Sequence, residues 1–133
     1  MPIKVLLVDD HSVVRQGLRM FLNLEEGLEV VGEAENGAEA LERIGELQPD
    51  VVLMDLMMPV MDGIEAIEKA KSQYPDVELV ALTSVLEDRS VVKAVKAGAI
   101  GYLLKDTEAE ELCKSIKAAA AGKVQLSPEA STR

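Results

Sequence analysis

The chain has no tryptophan, and only Phe21, Tyr74 and Tyr102 are aromatic. A folded core must therefore be assembled from Val, Leu, Ile, Ala and Met. The apolar share, 48% of 133 residues, is too high for a disordered chain and enough for one domain with a full core. The single cysteine, Cys113, excludes an internal disulfide; it fits a reducing compartment and reads as a small apolar residue on a helix face. No apolar stretch approaches the roughly 18 residues of a membrane span, and no signal peptide opens the chain, so we expect a soluble, cytoplasmic protein with no membrane contact. Basic residues are outnumbered: 14 Lys and Arg face 24 Asp and Glu, a net charge of −10. That balance argues against nucleic-acid binding by this segment, since phosphate contacts draw on Lys and Arg. Neither G-x-x-x-x-G-K-[ST] nor G-x-G-x-x-G after a strand occurs, so no bound nucleotide is expected.

What the sequence does contain is a strand–helix alternation. Strand-like apolar runs begin near Ile3, Leu28, Val51, Val77 and Gly101, at spacings of 25, 23, 26 and 24 residues. Helical periodicity fills the gaps. Val14, Gly17, Leu18, Phe21 and Leu22 follow the i, i+3, i+4, i+7, i+8 template, as do Leu112, Cys113, Ile116, Ala119 and Ala120. Further helices are expected over Gly37–Leu47, Gly63–Gln73 and Glu87–Ala97, the last stopped by Gly98 in a left-handed conformation. The pattern is (βα)5, which predicts a doubly wound, parallel, five-stranded α/β sheet. Right-handed crossovers favour the flavodoxin-like order 2-1-3-4-5, with strands 1 and 3 flanking the switch point. Residues 1–122 form the expected domain. Residues 123–133, Lys123-Val124-Gln125-Leu126-Ser127-Pro128 and onward, read as a tail or the start of a linker.

Chemistry collects where three of these strands end. Asp9-Asp10 closes the first run, Asp55 the third and Lys105 the fifth. In an open α/β sheet the functional crevice lies outside the carboxyl ends of the strands. Two carboxylates about 4 Å apart repel by roughly 4 kcal/mol at an effective dielectric of 20. A cluster of three therefore calls for a cation or for raised pKa values. Hard oxygen ligands with no His or Cys expected nearby favour Mg²⁺ or Mn²⁺ over zinc, bridged between Asp10, Asp55 and an incoming phosphoryl group. Asp55 is placed to attack phosphorus as a carboxylate nucleophile. Lys105 would spread the charge on the phosphoryl oxygens, Thr83 would donate a hydroxyl to one of them, and the small Ser84 would leave the approach open. In the loop Leu56-Met57-Met58-Pro59-Val60-Met61-Asp62-Gly63, Pro59 fixes φ and Asp62-Gly63 makes a turn before the next helix; a rigid loop here would aim the Met57 carbonyl at the metal. Its methionines read as gap-fillers, and His11 as an exposed residue at a helix start.

These residues resemble a known family. Val8-Asp9-Asp10, the Asp55–Gly63 segment, Leu82-Thr83-Ser84 and Gly101-Tyr102-Leu103-Leu104-Lys105 are similar to the motifs of two-component response-regulator receiver domains, over residues 3 to 121. His11, the Gly101–Asp106 segment and the Gly122–Pro128 tail resemble the NarL/FixJ branch. The resemblance implies phosphorylation at Asp55 by a sensor histidine kinase. It implies metal held by Asp10, Asp55 and the Met57 carbonyl, with Asp9 acting through water, and switch roles for Thr83 and Tyr102. Branch members control transcription through a C-terminal DNA-binding domain, absent from this chain; a receiver joined to such a domain is expected ahead of one that stands alone. Phosphorylation is expected to drive homodimerisation through the face built by the fourth helix, fifth strand and fifth helix, or through the first and fifth helices. Receivers commonly have Pro after the lysine; Asp106 stands there instead, which weakens the expectation of a cis peptide. Two rivals fit less well. A haloacid dehalogenase-like phosphohydrolase needs D-x-D after strand 1 and a cap insertion. A flavodoxin-like cofactor binder needs a Ser/Thr-rich phosphate loop and flanking aromatics.

Overall fold

The computed structural model describes residues 2–58, 61–84, 88–123 and 125–126. Its elements alternate as β1 (Ile3–Val8), α1 (Ser12–Leu24), β2 (Leu28–Ala34), α2 (Gly37–Leu47), β3 (Val51–Asp55), α3 (Gly63–Gln73), β4 (Glu78–Thr83), α4 (Asp88–Ala97), β5 (Gly101–Leu104) and α5 (Ala109–Ala120). The five strands are parallel in the order β2-β1-β3-β4-β5, as the spacing predicts. A two-residue strand beyond the expected five, β6 (Gln125–Leu126), adds to the edge beside Gly101 and Tyr102, so the sheet reaches into the segment read as tail.

Successive strand residues point to opposite faces, and this splits the core in two. Leu6, Val8, Val52, Met54, Leu79 and Ala81 face one way, onto Ala40, Ile44, Ala66, Ile67 and Ala94 of α2, α3 and α4. Val5, Leu7, Leu53, Val80 and Leu103 face the other way, onto Leu22 of α1 and Leu112, Cys113 and Ile116 of α5. Fully buried leucines and isoleucines such as Leu22 and Ile116 contribute about 1.5–3 kcal/mol each. Cys113 packs in this second layer as the periodicity indicates, and burial pushes its thiol up. Ala119 of α5 is also wholly buried there, with Ala120 partly buried beside it.

The helix boundaries follow local chemistry. Asn36 and Asp62 cap α2 and α3 by accepting the N–H groups of Glu39 and Glu65, each at 2.9 Å. Gly98 ends α4 with φ +119°, as read from the sequence. The expected first residue of α4, Glu87, lies outside the described residues, as do Pro59 and Val60. The described residues contain no cis peptide bond.

Candidate functional site

Strand register brings the chain ends of β1, β3, β4 and β5 to one edge. Val8 aligns with Met54, Asp55 with Leu82, and Thr83 with Leu104. Asp9, Asp10, Asp55, Thr83 and Lys105 therefore meet at the switch point, where the sequence places them. Asp55 and Asp9 are 1% and 2% exposed, whereas Asp10 is open to solvent. The Lys105 ammonium lies 2.9 Å from Asp9 Oδ2 and 3.1 Å from Asp55 Oδ2. Apart from it, neither oxygen has a hydrogen-bond partner among the described residues. Asp55 Oδ1 accepts the Met57 N–H at 3.1 Å.

Electrostatics follow from this packing. Burial pushes the Asp55 carboxyl above the ordinary carboxylate range; the Met57 N–H opposes, the charge of Asp9 adds to the rise, and Lys105 pulls back without cancelling it. Burial by itself would lower Lys105, but its bonds and charge contacts with Asp9 and Asp55 leave it above the ordinary lysine range. The pocket thus holds a fixed cation and a carboxylate more basic than one in water. Basicity of this kind favours nucleophilic attack by the ionised form.

The same residues fit a divalent cation. Ligand atoms of Asp9, Asp10, His11 and Asp55 all lie within 4.8 Å of one another. The expectation of no histidine nearby is corrected, because His11 follows the acid pair directly and its ring folds back onto it. The other donors are hard oxygens, and three carboxylates against one ammonium leave excess negative charge, a set that still suits Mg²⁺ or Mn²⁺. An open groove of about 570 Å³ runs beside Asp10, past Met57, Met58, Asp62 and Ser90.

The remaining sequence candidates are distributed as follows. Thr83 is buried at the end of β4, and its carbonyl accepts the Lys105 N–H at 2.7 Å. Ser84 is exposed. Tyr102 is 0% exposed, packed in the layer with Val91 and Ala94, so it already lies inside the fold with Asp55 unmodified. Gly63 does more than turn the chain: a Cβ on it would lie 2.3 Å from the Asp55 carbonyl oxygen and 2.7 Å from Leu56 Cα.

Two participants escaped the sequence reading. His11 is exposed, as expected, yet its ring Nδ1 lies 3.1 Å from Asp9 Oδ1 and 3.0 Å from Asp10 Oδ1, and its backbone N–H donates to Asp9 Oδ1 at 2.8 Å. Arg15 is buried, and its Nη1 donates to the Asp9 carbonyl. The signal for Arg15 was available: it shares the α1 face of Leu18 and Leu22, and a charge on an apolar face asks for a partner.

Fold and pocket together define a doubly wound α/β domain with an acidic, lysine-bearing switch point. The chain belongs to the response regulator receiver domain family, which it matches over residues 5–117. It is thus the receiver domain of a two-component response regulator, a signalling domain. It is 51% identical over 112 residues to the transcriptional regulatory protein YhcZ of Bacillus subtilis, covering 84% of this chain and 52% of that one. A two-component response regulator of the LuxR family from Aurantimonas superimposes with TM-score 0.94 at 34% identity, covering 99% of this chain and 94% of that one. The receiver domain of a NarL regulator from Mycobacterium tuberculosis does so with TM-score 0.88 at 36% identity, covering 92% and 98%. The chain spans 52% to 62% of the length of the curated relatives it matches. No helix of the described residues is long and apolar enough to cross a membrane.

Proposed function

We propose that Asp55 accepts a phosphoryl group from a sensor histidine kinase, with Mg²⁺ or Mn²⁺ bound beside it. The observation that carries this reading is the buried Asp55 carboxylate, basic through burial and facing Lys105 at 3.1 Å. Asp10, Asp55 and the Met57 carbonyl would hold the metal, with Asp9 acting through water. When bound, the metal would supply charge neutralisation at the phosphoryl oxygens. An Asp55 oxygen forms the new bond to phosphorus as the donor's bond breaks, and the electron pair of that bond leaves with the donor. Lys105, held by Asp9 and Asp55, then pairs with a phosphoryl oxygen. The Thr83 hydroxyl donates to another, and Ser84 leaves the approach open.

Readout is proposed as dimerisation. Of the two faces considered, α1/α5 is favoured. Val13, Met20 and Leu24 are 77%, 68% and 86% exposed, and Gly17 between them has nothing within 4 Å of its Cβ position. These four share one helical stripe at i, i+4, i+7 and i+11. On α4, Val92 and Val95 are 50% and 48% exposed, and Val91 is in the core. Thr83 and Tyr102 would couple the pocket to the surface. Residues 1–122 would act as the switch and 123–133 as the start of a connection onward. Control of transcription through a C-terminal DNA-binding domain is proposed from the names of the relatives, in a cytoplasmic protein.

Beryllofluoride, a phosphoryl mimic, tests the pocket. Fluorine NMR with Mg²⁺ is expected to show bound fluoride in the wild type and none in Asp55→Asn. Equal binding in the variant, or in excess chelator, overturns the assignment.

A further inference from the structure

Arg15 is the one charged residue of α1 that is buried, and the pocket chemistry above makes no use of it. Its guanidinium joins three elements. Nη1 donates to the Asp9 backbone carbonyl at the end of β1, and Nε donates to Glu33 Oε1 on β2 at 2.9 Å. Nη2 lies 3.7 Å from Glu35 Oε1. The planar fork suits such contacts in a way an ammonium does not. Glu33 is secured a second time by Arg19, whose Nη1 lies 2.7 Å from Oε2. Asp9 and Asp10 stand in the turn between β1 and α1, so a hold on the Asp9 carbonyl is a hold on the base of both side chains. Lys105 restrains Asp9 as well, through its carboxylate.

We propose that Arg15 is a positioning residue for the acidic pocket, tying the Asp9 carbonyl to Glu33 so that Asp9 and Asp10 present their carboxylates to the cation. Glu33 has a part in this. It neutralises the guanidinium, which can then brace the turn without repelling a dication a few bonds away. Groups that orient metal ligands from behind commonly matter 10- to 100-fold in metal affinity.

The inference rests on the metal reading of the pocket, and its sign distinguishes it from a general charge effect. Removing a nearby positive charge should tighten cation binding if Arg15 acts only through its field. Loss of a brace should weaken it. Mn²⁺ titration followed by the electron paramagnetic resonance of the free ion reads this without any phosphoryl transfer. Arg15→Gln, with Arg19 left to hold Glu33, is expected to bind Mn²⁺ about 10-fold more weakly than wild type. Arg19→Gln removes the same charge at an exposed position and is expected to change affinity by less than about 2-fold. Asp10→Ala is expected to abolish binding. Arg15→Gln binding as well as or better than wild type, with Asp10→Ala inactive, overturns the positioning role alone. Asp10→Ala binding as wild type overturns the metal pocket itself. Arg15→Lys, which keeps the positive charge but not the planar fork, serves if Arg15→Gln does not fold. It is expected to weaken Mn²⁺ several-fold, and unchanged affinity there counts against the proposal.

Discussion

Replacing Gly63 by alanine adds one methyl group where the chain turns from β3 into α3. That methyl would lie 2.3 Å from the Asp55 carbonyl oxygen and 2.7 Å from Leu56 Cα. Both atoms are backbone, and the backbone there is anchored: the Leu56 N–H donates to Leu82 O at 3.1 Å and the Gly63 N–H to Leu56 O at 3.2 Å. Relief therefore requires the turn to move, not a side chain to rotate. Overpacking of this kind costs about 1–3 kcal/mol, and a rigid neighbour favours the upper half. Alanine's better helix propensity returns less than about 1 kcal/mol, because Gly63 is the first residue of α3. The net expectation is a loss of about 2 kcal/mol, or roughly 6–10 °C in Tm for a chain of this size. Metal affinity should fall as well, because the displaced segment carries Asp55 and Met57. Gly17→Ala is the matched control. Its Cβ would meet nothing within 4 Å in the interior of α1, so it is expected to stabilise by about 0.5–1 kcal/mol. Urea unfolding of both variants decides the matter. A Gly63→Ala protein as stable as wild type, or a destabilised Gly17→Ala, would refute the close-approach argument.

Three other substitutions probe the pocket and the surface. Asp55 has its pKa raised by burial, so its stabilising neutral form is complete below the unfolded value of about 3.9 and is lost as the pH rises through the folded value. Asp55→Asn should consequently be more stable than wild type at pH 7 in chelator, with the gap closing toward pH 4; urea midpoints across pH read this. Lys105→Met leaves Asp9 and Asp55 buried without their ammonium and should cost about 3 kcal/mol at pH 7, less as the carboxylates protonate on acidification. Met20→Glu, at a residue 68% exposed, should leave thermal unfolding of the monomer within about 0.5 kcal/mol of wild type. It should also abolish beryllofluoride-dependent dimerisation in sedimentation, whereas a dimer that persists assigns readout to another face.

The site was legible because its residues close strands. Each of Asp9, Asp55, Thr83 and Lys105 ends an apolar run, and parallel topology brings such ends to one edge whatever the side-chain detail. The bulk of the fold was legible for a related reason: the 24-residue rhythm leaves room for one strand and one helix per unit. The extra strand β6 gave no such signal, since two residues carry no periodicity. Arg15 left no mark in the apolar periodicity of α1, because a charge on that face is not part of the template. The bridging role of His11 depends on where its ring sits between two carboxylates, which spacing alone does not fix. Gly63 read as a turn residue, but its deeper requirement, room for the Asp55 carbonyl, is a tertiary contact. Val91, Val92 and Val95 are alike in sequence, and only the orientation of α4 on the sheet buries the first and exposes the other two.

The central claim is that Asp55 is the phosphoacceptor, and intact mass after incubation with a small acyl phosphate and Mg²⁺ tests it most directly. The expected result is one added phosphoryl group in the wild type, none in Asp55→Asn, and none in the wild type with excess chelator. A phosphoryl adduct that forms on Asp55→Asn to the same extent would contradict the account.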